Sequence, residues 1–181
     1  MRVVVKVGTK ILTDEHGRLD SARVQKVVDF VNTIKKSGKQ VVVVTSGAIG
    51  AGFPKLGYKN SQKLNKIQIR QAASAIGQPM LMSLYEQYFS KHGIDIGQIL
   101  LTNDIETSKE AQRNAINTFN VLFEKGVVPI VNENDAVSTA EIGIGKNFGD
   151  NENLSKIVSG LISAEIVDYE KIKEVWHEKS R

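Results

Sequence analysis

The stretch Gln40–Gly52, QVVVVTSGAIGAG, limits what this chain can become more than any other. Four valines in a row, Val41 to Val44, leave no polar face. A strand built from them is buried on both sides, as in a parallel sheet covered by helices. Thr45 and Ser46 follow at its carboxyl end, then Gly47, Gly50 and Gly52. A glycine-rich turn between strand and helix lets backbone N–H groups approach an anion, and the helix dipole adds to the attraction. The same turn also serves as a plain βα connection whose glycines only make room, and the stretch alone does not separate the two. In an open α/β sheet, ligands bind beyond the carboxyl ends of the strands, where this turn lies.

The rest of the chain repeats that alternation. Arg2–Val7 is a β-branched run broken by Lys6, with Gly8 and Thr9 after it. A lysine there either snorkels to solvent or aims its ammonium from the strand end at an anion. Asp20 or Ser21 caps a helix with Val24, Val27, Val28, Val31 and Ile34 at helical spacing, ended by Gly38. Residues 53–60 read as loop, and Ser61–Ile76 as helix. Gly77-Gln78-Pro79 is expected to interrupt it before a second helix through Leu81, Leu84, Tyr85 and Phe89. Ile94–Leu101 is the third strand, Ser108–Lys125 a capped helix and Val127–Val131 the fourth strand.

That last strand runs into Asn132-Glu133-Asn134-Asp135. Four carboxylate or amide ends at a strand terminus suit a metal, a ligand ammonium or one another. Residues 136–148 read as a flap, since Gly143, Gly145 and Asn147 break any period. Gly149-Asp150-Asn151-Glu152 opens a helix carrying Leu154, Ile157, Val158, Leu161 and Ile162, where acidic residues also serve as cap and dipole partners. After Ala164 the pattern thins: Ile166-Val167 is too brief for a core strand, and residues 165–181 read as a short helical tail. The order predicts an α/β fold with an open, mainly parallel sheet and helices on both faces.

At 181 residues the length fits one domain. The net charge of +4 comes from lysines scattered among acids, with no basic stripe for nucleic acid. No apolar run is long enough to span a bilayer, and the amino terminus turns polar too early for a signal peptide. The lack of cysteine excludes disulfide and thiolate chemistry and is compatible with a cytoplasmic home. His16, His92 and His177 lie far apart in polar settings, so surface positions are expected and no metal site is.

Six stretches, in order, carry a resemblance: KVGTKILT (6–13), VTSGAIGAG (44–52), RQAASAIGQPMLM (70–82), GQILLT (97–102), PIVNENDAV (129–137) and FGDNENLS (148–155). Residues 1–164 resemble the amino-terminal, acceptor-binding part of the glutamate 5-kinases, within the amino-acid kinase family. The resemblance implies transfer of the γ-phosphoryl group of ATP, with Mg²⁺, to the side-chain carboxylate of L-glutamate. It implies Lys6 beside the transferring group, and Gly8 and Thr9 around the phosphates. It implies Ser46, Gly47, Ala48, Asn132, Asn134, Asp135 and Asn151 around glutamate, with Asp135 on its α-ammonium. Glu152 stands where the family usually has an aspartate that orients the active-site lysines. The resemblance further implies that the family's nucleotide half is missing after Ala164: a Leu-Leu-Thr-Asp strand, a Gly-Leu-Tyr turn, and a Thr-Gly-Gly segment with a second lysine. Two expectations follow: weak or absent turnover by this polypeptide alone, and a homo-oligomer that hides an exposed sheet edge. The alternative is a catalytically impaired remnant serving as a glutamate-binding or subunit-assembly module.

Overall fold

The computed structural model describes residues 1–57, 66–137 and 152–172. Its centre is a parallel sheet of β1 (Arg2–Val7), β2 (Gln40–Thr45), β3 (Ile96–Leu101), β4 (Val128–Glu133) and β5 (Glu165–Asp168). The strand order is β3-β4-β2-β1-β5, with every pairing parallel. The helices are α1 (Thr9–Leu12), α2 (Ser21–Lys36), α3 (Ala48–Gly52), α4 (Ile67–Ser90), α5 (Lys109–Glu124) and α6 (Glu152–Ile162).

Strand alternation sorts the apolar residues into two cores. Val3, Val5, Val7, Val41, Val43, Val128 and Ile130 pack with α2 and α4 on one face. Val4, Val42, Val44 and Val131 pack with α5 and α6 on the other. The valine run is therefore buried on both sides, as its composition requires. The connections β1-α2-β2 and β2-α3-α4-β3 step one way across the sheet with their helices on the first face. The connections β3-α5-β4 and β4-α6-β5 step back with theirs on the second. All four share one hand, as right-handed crossovers demand.

Local chemistry sets the helix starts. The Asp20 carboxylate accepts from the Ala22 and Arg23 N–H groups, and Ser108 Oγ accepts from Ala111 N–H. The expected break at Gly77-Gln78-Pro79 does not occur: α4 runs unbroken through Pro79. An interior proline costs about 3 kcal/mol, and here the burial of Leu81, Tyr85 and Phe89 beyond it outweighs that. A second correction concerns the segment after Ala164. Its start is not helical tail but β5, an edge strand in register with β1, and its Tyr169 packs edge-on against Phe30 at 5.1 Å. The strand ends in Asp168. His92 is exposed, as expected, and its ring joins Asp29 at 2.8 Å and Asn32 at 3.1 Å, tying the end of α4 to α2.

Candidate functional site

Strands β2 and β4 are neighbours, yet the chain leaves β2 toward the first face and β4 toward the second. Where adjacent strands send their connections to opposite faces, a crevice opens at the carboxyl ends of the sheet. Ser46 and Gly47 follow β2 on one side of it; Asn134 and Asp135 follow β4 on the other. Strands lie about 4.8 Å apart, so the ends of β1, β2 and β4 share one short stretch of rim.

The turn after β2 is held from below. Gly47, at the start of α3, has φ +102°, a conformation that favours glycine. Ser46 and Ala48 are buried, and Thr45 Oγ1 shares a 2.8 Å bond with the buried Tyr85 hydroxyl. Helices α3 and α4 cross almost backbone to backbone. A Cβ on Gly77 would lie 1.7 Å from Ala48 O, and one on Gly52 would lie 1.8 Å from Ala73 O. The two glycines therefore fix α4 against the Ser46–Ala48 turn.

Helix α4 presents a polar stripe, Arg70, Ser74 and Gln78, at four-residue spacing and all buried. Ser74 Oγ lies 3.5 Å from Asp135 Oδ2. Gln78 accepts from Asn132 Nδ2 at 2.9 Å and donates to Gln98 Oε1 at 2.9 Å, while Asn132 Oδ1 accepts from Glu133 N–H. Asn132 and Glu133 belong to β4 itself, which runs two residues beyond its expected end. Both ends of the Asn132 amide are thus committed inside the protein.

An open cleft of about 540 Å³ runs along this stripe. Its lining combines polar Ser74, Gln78, Glu133 and Asp135 with apolar Met82 and Leu100. Burial and the nearby Glu133 carboxylate push the Asp135 pKa up to about 7, while Arg70 and the Ser74 hydroxyl pull it down. Burial lowers that of Arg70, against the pull of Asp135.

Lys6, Gly8, Thr9 and Ser46–Ala48 do not line this cleft. Lys6 points to the α5–α6 face, where strand pairing sets it opposite Asp168 and its Nζ lies 3.5 Å from Asp168 Oδ2. Glu152, exposed at the start of α6, bonds Lys156 at 2.7 Å. Lys156 first, and then Lys6, hold its carboxyl below the usual range. The space over Gly8 is open, with no atom within 4 Å of a built Cβ. Asn151 and most of the expected flap lie outside the described residues. Among the described residues, no three His, Cys, Asp or Glu side chains gather to hold a metal, and no helix is long and apolar enough to cross a membrane.

Sequence reasoning missed Arg70, Ser74, Gln78 and Asp168. The first three had a signal, polar residues every fourth position in an alanine-rich helix. The fourth closes an apolar pair at a strand end, as Thr45 does.

A profile of the amino acid kinase family matches residues 1–177. The chain is 46% identical over 164 residues to "Glutamate 5-kinase" of Clostridium perfringens, covering 91% of this chain and 60% of that protein. It is 43% identical to "Glutamate 5-kinase 1" of Bacillus subtilis, covering 91% of this chain and 43% of that one. "Glutamate 5-kinase" of Streptococcus uberis is 38% identical, over 92% of this chain and 61% of its own length. The chain spans between about two-fifths and three-fifths of these relatives. A parallel sheet with a glycine-bounded turn at its central strand, an amide-and-carboxylate run at the next, and a match along nearly its whole length leave one conclusion: this chain belongs to the amino acid kinase family.

Proposed function

We propose that the chain is the acceptor-binding part of a carboxylate kinase that takes L-glutamate. One observation supports this reading: β2 and β4 are neighbours whose connections part to opposite faces, so the Ser46 turn and Asn134–Asp135 follow adjacent strands at the carboxyl rim of the sheet. There, backbone donors at Gly47 and Ala48 and the Ser46 hydroxyl would hold the substrate, and Asp135 would pair with its α-ammonium. Asn134 would add an amide contact, as would Asn151. Asn132 would support Gln78 and not touch the guest.

The acceptor needs no base, because a side-chain carboxylate is already ionised near neutrality. Its oxygen forms a bond to the γ-phosphorus as the bond to the bridging oxygen of the leaving diphosphate breaks. The protein's task is to align like-charged groups and offset their charge. Lys6 would supply that charge, and Glu152 with Asp168 would hold its ammonium at the rim. The open space over Gly8 fits a phosphate approached by the Gly8 and Thr9 N–H groups. Bound Mg·ATP supplies the phosphoryl group. The described donor set is no metal cage, so Mg²⁺ would ride on the phosphate oxygens.

A second reading, a glutamate-binding or subunit-assembly module, is favoured by the outer edge of β3, which pairs with no further strand among the described residues. Separate calorimetric titrations with L-glutamate and with Mg·ATP decide between them. Glutamate binding without Mg·ATP binding supports the module. Binding of both, with turnover lost in Lys6→Ala, supports the kinase. Absence of glutamate binding overturns the kinase and the glutamate-binding module.

A further inference from the structure

Resting on the glutamate reading, we infer that Arg70 is a positioning residue: its buried guanidinium, on the helix face that meets Asp135, holds that carboxylate in place for a substrate ammonium. Arg70 is only 7% exposed. It sits one helical turn before Ser74, whose hydroxyl lies 3.5 Å from Asp135 Oδ2. Residues four apart share a helix face, so cation and hydroxyl approach one carboxylate from the same side. The Gly52 and Gly77 contacts keep that face from sliding along the Ser46 turn.

The surroundings explain why a cation is needed. Among the described residues, Arg70 and Ser74 act on Asp135 from α4, and Glu133 acts from β4. Burial and Glu133 both oppose its charge; Arg70 is the cation that offsets them. An arginine keeps its charge even when buried. Without Arg70, Asp135 meets burial and the Glu133 carboxylate with no cation to offset them, and it takes up a proton more readily. A protonated Asp135 offers an ammonium no opposite charge.

The test is direct titration of the Asp135 carboxyl carbon by NMR in the whole chain, which needs no ligand. In Arg70→Gln the midpoint should rise by a unit or more, on the order of a tenfold change in proton affinity. Loss of a buried arginine can also unfold α4, so Arg70→Lys is measured beside it and should stay within about half a unit of the parent. L-glutamate titrations then link charge to binding. Affinity in Arg70→Gln should fall at least about tenfold near neutrality and recover above the shifted midpoint. An unmoved midpoint in Arg70→Gln, or an equal rise in Arg70→Lys, overturns the inference. Failure of the parent to bind glutamate, with the midpoints moving as stated, overturns the substrate reading and leaves the Arg70 role standing.

Discussion

Replacing Gly77 with alanine adds one methyl group where the fold has no room for it. The new Cβ would lie 1.7 Å from Ala48 O and 2.7 Å from Gly52 N, both backbone atoms. To reach even 3.0 Å, α3 must retreat from α4 by about 1.3 Å, and backbone cannot rotate away as a side chain can. Overpacking costs about 1–3 kcal/mol where side chains can adjust. With backbone on both sides, the expected loss is about 3 kcal/mol or more. For a chain of this size that is roughly a 6–12 °C fall in melting temperature. The displaced Ala48 is two residues from Ser46, so glutamate affinity should fall at least about tenfold. Gly160→Ala is the control, since a Cβ there, inside α6, meets nothing within 4 Å. It should stabilise by roughly 0.5–1 kcal/mol. Thermal unfolding and calorimetry of both variants test the pair. A Gly77→Ala protein melting within a degree or two of the parent, with unchanged affinity, would refute the claim that this crossing fixes the site.

Asp135→Asn should stabilise the protein above neutrality while abolishing glutamate binding. A carboxyl raised from 3.8 to about 7, chiefly by burial, costs the folded state on the order of 4 kcal/mol once ionised. Because the folded value exceeds the unfolded one, the parent loses stability as pH rises from about 4 through about 7, and the variant should not. Denaturant midpoints across that range check this, and a variant less stable than the parent near pH 8 would contradict it. Tyr85→Phe removes the buried bond to Thr45 Oγ1. It should cost about 1–2 kcal/mol by urea unfolding, and a neutral result would show that Thr45 is satisfied without it. Among the described residues strand β3 pairs only with β4, so the polypeptide should self-associate in light scattering. A monodisperse monomer of high melting temperature would count against that.

The sheet, its parallel sense and its two-faced cover were legible because the valine runs admit no polar side and the capping residues Asp20 and Ser108 mark the helix starts. Pro79 misled because a local helix breaker competes with burial on both sides of it, and only the fold shows that burial wins. The β5 strand escaped because four residues at a sheet edge carry no periodicity; strand pairing, which brings Asp168 to Lys6, is a property of the folded chain. Site residues at strand ends were legible as chemistry without partners. Ser46 and Asp135 each stood out, but their nearness at the rim follows from β2 and β4 being neighbours, with Val44 paired to Val131, 87 residues on. Asn132 looked like a ligand-facing amide; its bonds to Gln78 and Glu133 depend on where α4 lies.

The account stands on one small dicarboxylic amino acid touching both sides of the crevice at once. Titrating L-glutamate into the ¹⁵N-labelled chain measures this residue by residue. The amides of Gly47 and Ala48 after β2 and of Asn134 and Asp135 after β4 should move together and fit a single dissociation constant. Movement confined to one side, or two sides fitting different constants, would contradict it.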